Sequence, residues 1–264
     1  MPDQDTRPVA PAGHAAMLRT PTPACTVEIE RWVHRALDHG RRVVTVALPP
    51  DLGPGAAAPP TIRALPAADP DLLLGAGLRA ELVERAVDEG HSGLGVLVSA
   101  DGVMASSSPA HHDRVETALA ELCRDHPVLV LCLYDRHGCG TEQLGLAVGH
   151  HPVELRDGTA RLRRSTAAVE LAGEFDLGNL PVLSRALRTV TASAPPVLGI
   201  DLSGVRFLSV GAARALALDT APYRAAGGRV ELHGASPGTA RVLRLVQRRG
   251  GPELEIVPPP DHRG

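Results

Sequence analysis

The sequence contains no lysine, because all 27 of its basic residues are arginine. A Schiff-base mechanism requires a lysine amine, and the loop G-x-x-x-x-G-K-[ST] uses its lysine to reach the β- and γ-phosphates of a nucleotide. Both chemistries are therefore excluded. Aromatic residues make up only 2% of the chain. Single-stranded nucleic acids bind by stacking bases on aromatic rings, so this composition argues against a nucleic-acid partner.

Long apolar runs and a regular cysteine framework are also absent. No stretch approaches the roughly 18 consecutive apolar residues of a membrane helix, and the first residues lack the basic-then-apolar order of a secretory signal. The four cysteines, Cys25, Cys123, Cys132 and Cys139, are unevenly spaced in a chain of 264 residues. Such a chain can bury a real core without disulfides, so we expect reduced thiols, a cytoplasmic location and no membrane partner.

Charge divides the chain into two parts. Residues 1–158 hold 13 arginines and 21 acidic residues, whereas residues 159–264 hold 14 and 9, which gives net charges of −8 and +5. The basic part does not indicate nucleic-acid binding, because Arg241, Arg244 and Arg248 recur at the spacing of a solvated helix face. The sequence predicts two domains, at residues 13–158 and 166–257, joined by a linker at 159–165. A disordered N-terminus (1–12) precedes them, and a tail (258–264) follows.

The second half alternates between strand and helix patterns, which predicts a small α/β sandwich. The predicted order is β-α-β-α-β-α-β, with elements at residues 166–175, 178–193, 196–202, 211–226, 229–234, 236–250 and 254–257.

This half resembles a STAS domain, the family of bacterial anti-sigma-factor antagonists. The resemblance rests on GEFD (173–176), IDLSGVRFLS (200–209) and GGRVELHGASPGTARVLRLV (227–246). It implies a protein partner, an anti-sigma factor that is a GHKL-type serine kinase. In phosphoregulated members this kinase phosphorylates a serine at a helix start. Aligned without gaps, Val210 and Gly211 occupy the two serine positions, so the phosphoacceptor positions carry no hydroxyl.

Ser209 lies at the start of the same helix and has two interpretations. It is either the helix N-cap, which stabilises a helix by about 1 kcal/mol relative to alanine, or a displaced phosphorylation site. We prefer the cap. The resemblance assigns partner binding to the second helix of the domain and the adjoining loop, which gives Arg206, Ser209, Val210 and Arg214. Asp201 is expected to anchor a turn at Ser203 and Gly204.

The first half is also predicted to be α/β, with a mostly parallel sheet. A helix from Ser108–Pro109 to Asp125 precedes the apolar strand VLVLCLYD (128–135), which ends in an acid. Nucleotide-hydrolysing domains place a carboxylate near Mg²⁺ in this way, but hydrolysis is not predicted here without lysine or a suitable glycine loop. The other predicted elements are helices at residues 26–40 and 70–89, strands at 42–48 and 94–100, and a loop at 49–60.

This half looks like a MEDS domain, the methanogen and methylotroph sensory module. The matching segments are GHAAML (13–18), LDHGRRVVTVAL (37–48), DEGHSGLGVLV (88–98), LCLYDRHG (131–138) and HHPVELRDG (150–158). The resemblance implies a RecA-like fold without an active nucleotide site, and the sensing of a small molecule. The chain departs from the family at residues 17–20, where many members carry a more aromatic segment. The candidate ligand-sensing residues are His14, Cys132, Tyr134, Asp135 and His151.

A metal site is not predicted from local spacing. Cys132, His137 and Cys139 form a C-x₄-H-x-C pattern that matches no standard zinc site, and a thiol inside a strand behaves as a small hydrophobe. His111 and His112, near a helix start, are expected to face solvent. No catalytic residue, metal or cofactor is therefore assigned.

The resulting hypothesis is a non-enzymatic bacterial signalling regulator. In it, a MEDS-like sensory domain controls a STAS domain that binds an anti-sigma factor. The alternative is a small-molecule or metal-dependent sensor or enzyme that uses the N-terminal Cys, His and Asp residues.

Overall fold

The structure is a computed structural model. It describes residues 13–19, 23–48, 62–65, 82–105, 108–136, 141–151, 154–157, 159–164, 168–248 and 254–258. Several predicted features lie outside these residues: the predicted N-terminal and C-terminal segments except residue 258, the loop at 49–60, the first part of the helix at 70–89, and His137 and Cys139.

Helices and strands alternate along most of the described chain. The helices are α1 (Pro23–Asp38), α2 (Arg85–Asp88), α3 (Ala100–Ala105), α4 (Pro109–Asp125), α5 (Thr141–His150), α6 (Leu180–Thr191), α7 (Val210–Asp219), α8 (Ala221–Ala225) and α9 (Pro237–Arg248). The strands are β1 (His14–Arg19), β2 (Arg42–Val46), β3 (Ile62–Leu65), β4 (Leu94–Ser99), β5 (Val128–Asp135), β6 (Glu154–Asp157), β7 (Ala160–Arg164), β8 (Ala168–Phe175), β9 (Val197–Leu208), β10 (Arg229–His233) and β11 (Glu255–Ile256).

The chain divides into two compact units. One comprises Met1–Ala15 with Trp32–Leu131, and the other comprises Ala16–Arg31 with Cys132–Gly264. The division passes within β1 and within β5, so each of these two strands contributes residues to both units.

The first unit is built on strands in the order β1-β5-β4-β2-β3. β2 pairs in parallel with both β3 and β4. All six residues of β4 are buried, as expected for the interior strand of a parallel sheet that is covered on both faces. The predicted α/β class with parallel strands is confirmed.

The second unit is built on strands in the order β11-β10-β9-β8-β7-β6-β1. β8, β9, β10 and β11 pair in parallel, and so do β6 and β1. The stretch expected to be a linker, residues 159–165, instead contains β7, which pairs antiparallel with β6 and with β8. The arginine-rich sequence ARLRR is compatible with a strand because its period-2 alternation buries Leu162 while the neighbouring arginines stay accessible.

Serine caps begin three of the helices, as the sequence predicts. The hydroxyl oxygens of Ser108, Ser209 and Ser236 accept backbone N–H groups three residues later, at 3.2, 3.1 and 3.2 Å. Each bond satisfies a donor in the first helical turn that has no partner within the helix.

Two elements of the second half differ from the prediction. The helix expected at 211–226 is split into α7 and α8, because Pro222 has no N–H to donate to the carbonyl of Leu218. β9 continues through Ser203 and Gly204 rather than turning there, with register shifts against β8. Asp201 still has its expected local role, since its Oδ1 accepts the N–H of Ser203 at 2.8 Å.

Within the part of the chain that the structure describes, no helix combines the length and apolar character that crossing a bilayer requires.

Candidate functional site

A buried carboxylate lies between two histidines near the start of β1. Glu116, on α4, contacts Nε2 of His14 with Oε2 at 3.1 Å and Nε2 of His112 with Oε1 at 3.3 Å. His112 and Glu116 are four residues apart, which places them on the same face of the helix. Burying a carboxylate is costly unless it is paired, so the two imidazoles stabilise the carboxylate in this position.

The prediction that His111 and His112 face solvent is wrong. Both are buried, because the face of α4 that carries them packs inward with Val115 and Leu119.

A second group of predicted residues comes together at the end of α5. The ring of His151 lies edge-on to the ring of Tyr134, with centroids 5.9 Å apart and an interplanar angle of 82°. Nδ1 of His151 lies 2.7 Å from the carbonyl oxygen of Ala147. A carbonyl oxygen only accepts, so Nδ1 carries the proton and Nε2 is left as the lone-pair nitrogen when the ring is neutral.

The candidate polar residues divide between the two compact units. His14 and Glu116 belong to one unit, and Cys132 and His151 belong to the other. Each of these four residues is at most 9% exposed.

Five residues were proposed for ligand sensing. Within one unit the structure places His14 against Glu116, and within the other it places Tyr134 against His151. Cys132 is buried in β5, and Asp135, the last residue of that strand, is half-buried. Sequence reasoning missed Glu116, although the pair His112 and Glu116 at i,i+4 spacing was a local signal that could have drawn attention to it.

The loop that precedes α6 is fixed by its own polar groups. Oδ1 of Asn179 accepts the N–H of Asp176 at 3.1 Å, and Nδ2 of Asn179 donates to the carbonyl of Glu174 at 2.8 Å. Oδ1 of Asp176 accepts the N–H of Gly178 at 2.8 Å. This loop nevertheless holds Leu177 in solvent, 76% exposed. A large apolar side chain presented by an ordered loop is suited to contact with another molecule.

The exposed apolar surface continues onto α7. A Cβ atom added to Gly211, near the start of this helix, would lie 3.3 Å from Cδ2 of Leu177, so the loop and the helix start are in contact. Val210 and Leu218 are exposed residues of α7, and Phe207 lies just before this helix; all three are about half exposed. We call Leu177, Phe207, Val210 and Leu218 the apolar patch.

The predicted partner-binding residues lie at this patch. Arg206, Val210 and Arg214 are exposed, whereas Ser209 is partly buried and occupied as the cap of α7. Nη2 of Arg206 lies 3.6 Å from Oε1 of Glu174, and both side chains are largely in solvent, so this pair contributes little to stability. Sequence reasoning missed Leu177, Phe207 and Leu218, since an apolar residue next to a buried strand or on a helix looks like part of the core.

In the described part of the chain, Cys25, Cys123 and Cys132 are thiols that form no disulfide. Burial raises the pKa of the Cys123 thiol to about 12, against the opposing effects of the Val130 N–H and the charge of Arg41. Its Sγ donates to the carbonyl of Gly13 at 2.9 Å. Cys123 is therefore an unreactive structural thiol at neutral pH.

These features define an α/β protein with a buried Glu116 carboxylate between two histidines and exposed apolar residues around the start of α7. Two family models match the chain. Residues 74–152 match MEDS, the methanogen/methylotroph, DcmR sensory domain, and residues 159–250 match the STAS domain of the Mlab type. The expected combination of MEDS and STAS regions in one chain is confirmed.

No curated protein matches the chain. Among solved structures, one similar chain is an anti-sigma factor antagonist from Mycobacterium paratuberculosis. It is 27% identical in sequence, and the match covers 39% of this chain and 87% of that one with a TM-score of 0.28.

Proposed function

We propose that this protein is a non-enzymatic signalling regulator of the cytoplasm. Its STAS region binds an anti-sigma factor of the GHKL-kinase type and thereby antagonises it. Its MEDS region receives a small-molecule input that controls this binding. The STAS family match and the apolar patch support the first part of this proposal, and the MEDS family match supports the second.

The apolar patch is the observation that carries the proposal. Protein interfaces are typically centred on apolar side chains surrounded by polar and arginine residues. Here Leu177, Val210 and Leu218 are exposed, and so are Arg206, shortly before α7, and Arg214, on α7. The hydrogen bonds within the preceding loop hold Leu177 in place, so little ordering would be needed when a partner binds.

The mode of control is proposed to be competition or ligand input rather than phosphate at this helix start. Val210 and Gly211 have no hydroxyl to accept a phosphoryl group. The hydroxyl of Ser209 is already bonded to the N–H of Ala212. An apolar Val210 at the helix start would leave binding of the partner independent of phosphorylation at this position.

The test is calorimetric titration of the full-length protein against each GHKL-type anti-sigma kinase encoded in its genome. We expect one of them to bind, and we expect Val210→Asp and Leu218→Asp each to weaken that complex by about tenfold or more, as loss of an interface anchor does. Val197→Asp is the matched control. It introduces the same charge at an exposed valine, but at the opposite end of β9 from Phe207, and it should leave the affinity unchanged.

Absence of binding to every such kinase, with the full-length protein folded, would overturn the proposal. Equal affinities for wild type and the two patch variants would overturn the assignment of the surface. Intact mass after incubation with the bound kinase and ATP should remain unchanged, and a phosphate on Ser209 would show that control operates through phosphorylation instead.

The sensory part is tested separately. Small hydrocarbon derivatives, the ligand class that the MEDS resemblance implies, are added during the same titration. A ligand that changes the affinity for the kinase without contacting the STAS region supports control by the MEDS region. Ligands that bind the protein but leave the affinity unchanged contradict it.

A further inference from the structure

We propose that Arg136 and α5, which belong to the MEDS-matched segment, position the loop that presents Leu177, and that they form the mechanical link through which the sensory region controls the apolar patch. The positioning of the loop follows from the contacts alone, whereas the control of the patch rests on the proposed function.

The link lies within one compact unit. Residues 132–152 are the end of the MEDS match, yet they belong to the same unit as the whole STAS match at 159–250. They include α5 and four of the residues proposed for ligand sensing, Cys132, Tyr134, Asp135 and His151. A change at these residues therefore occurs inside the unit that carries the apolar patch.

The first contact joins α5 to α6. The guanidinium of Arg185 lies against Gly145, because a Cβ atom added to this glycine would be 3.0 Å from Nη2 and 3.4 Å from Cζ of the arginine. The absence of a side chain at residue 145 thus makes room for Arg185. His151 follows the same helix, and its Nδ1 is bonded to the carbonyl of Ala147 at 2.7 Å. A ligand that moves His151 would therefore displace the end of α5.

The second contact joins Arg136 to the loop itself. A Cβ atom added to Gly178 would be 3.3 Å from Nη2 of Arg136 and 3.0 Å from Oδ1 of Asp176, so the guanidinium and the carboxylate approach the same side of this glycine. The backbone N–H of Arg136 is held in turn by the carbonyl of Arg19, at 2.9 Å. The positive charge attracts the Asp176 carboxylate and favours the loop conformation in which Oδ1 accepts the N–H of Gly178.

α6 and its loop lead directly to the apolar patch. Leu177 and Leu180 both reach the start of α7, because a Cβ atom added to Gly211 would lie 3.3 and 3.7 Å from their Cδ2 atoms. α6 also packs against α7 and is joined to it by the Arg188–Asp219 pair. Packed side chains and ion pairs of this kind carry energetic coupling between separate parts of a protein. A shift of α6 driven by α5 would therefore change how Leu177 is presented.

A small cleft beside α6 leaves room for such a shift. It is lined by Leu162 and Phe175 on the sheet and by Val182, Leu183 and Ala186 on α6. Close-packed interiors resist displacement, so an unfilled space next to this helix lowers the free-energy cost of moving it.

The first experiment measures amide hydrogen exchange in the full-length protein, which requires no ligand or partner. Gly145→Leu displaces Arg185, and Gly149→Leu is the matched control, because a Cβ atom added to Gly149 on the same helix meets nothing within 4 Å. We expect Gly145→Leu to accelerate exchange at Asp176 and Gly178 by about threefold or more, and Gly149→Leu to leave it unchanged. Equal exchange in the two variants would overturn the link through α5.

Two further substitutions keep the test independent of the folding of Gly145→Leu. Arg185→Ala removes the same contact without adding volume, and unchanged exchange at the loop in this variant also contradicts the link. Arg136→Met should accelerate exchange at Gly178, and Arg136→Lys, which retains the charge, should restore the wild-type rate. A loop that exchanges at the wild-type rate in Arg136→Met would show that Arg136 does not position it.

The affinity for the GHKL-type kinase tests the control of the patch. Gly145→Leu should weaken the complex by about threefold or more, whereas Gly149→Leu should bind as the wild type does. Altered exchange with unchanged affinity would refute control through this link. If no such kinase binds the wild type, the proposed function fails, and the exchange measurements alone decide whether α5 and Arg136 position the loop.

Discussion

The hydroxyl of Ser209 accepts a hydrogen bond from the backbone N–H of Ala212 at 3.1 Å, which makes this serine the N-cap of α7. Ser209→Ala should therefore lower the free energy of unfolding by about 1 kcal/mol, and Ser209→Asp should restore most of it, because aspartate is an equally good cap. Urea denaturation followed by circular dichroism measures both values.

Ser236→Ala is the matched control for this prediction. Ser236 caps α9 through the N–H of Thr239 at 3.2 Å, away from the apolar patch, and its loss should cost a similar free energy. The interpretation of Ser209 as a cap would be contradicted by a Ser209→Ala variant that is as stable as the wild type. A Ser209→Asp variant that keeps its stability but no longer binds the proposed kinase partner would instead identify the residue as a charge-sensitive contact.

An ion pair between an exposed arginine and a buried carboxylate joins α6 and α7. Nε and Nη2 of Arg188, on α6, each lie 2.7 Å from Oδ1 of Asp219, whose carboxylate is buried at the end of α7. Arg188→Ala leaves this carboxylate without its cation, and because the arginine is largely in solvent we expect the free energy of unfolding to fall by about 1 kcal/mol.

A double-mutant cycle separates the pair from its surroundings. Arg188→Ala, Asp219→Asn and the double variant are compared by chemical denaturation, and the coupling energy isolates the interaction between the two side chains. Additive effects would show that the ion pair does not stabilise the arrangement of α6 and α7.

Local sequence patterns were sufficient for much of the fold. The caps at Ser108, Ser209 and Ser236 and the apolar run at 128–135 predict the elements that the structure contains, because these signals act over a few neighbouring residues. β7 was missed for the opposite reason. Its stability comes from pairing with β6 and β8, and its own five residues include three arginines.

The candidate sites were predicted only in part for the same reason. Cys132, Tyr134 and His151 could be selected from the sequence because a family resemblance covers them. The contact of His14 with Glu116 joins residues about 100 positions apart, and no local rule links them. The apolar patch depends on which side of a helix faces solvent, and packing decides this for Leu218 against its buried neighbours Leu216 and Ala217.

Two glycines with nearly the same positive φ offer a direct test of β7. Gly173 and Gly227 have φ values of +93° and +94°. A Cβ atom on Gly173 would lie 2.1 Å from the carbonyl oxygen of Thr159, just before β7, whereas a Cβ on Gly227 would meet nothing within 4 Å. Both alanine variants incur the strain of positive φ, but only Gly173→Ala also forces the strands apart.

We therefore expect Gly173→Ala to lower the free energy of unfolding by about 1–3 kcal/mol more than Gly227→Ala does. Thermal and urea denaturation of the two variants side by side measures the difference. Equal losses would mean that residue 159 does not lie against β8, and the stretch at 159–165 would then be a linker after all.

The buried thiol of Cys123 predicts a loss of stability at alkaline pH. Its pKa is raised from 9.0 to about 12 in the folded chain, so between these values the unfolded chain releases a proton that the folded chain retains. The contribution is fully present below pH 9 and is lost as pH rises toward 12, at up to about 1.4 kcal/mol per pH unit. The chain has no lysine, so few other groups titrate in this window.

The measurement is urea denaturation of wild type and Cys123→Ala at pH 8, 9, 10 and 11. The slope should be steeper in the wild type, and parallel curves would show that the thiol titrates normally in the folded protein.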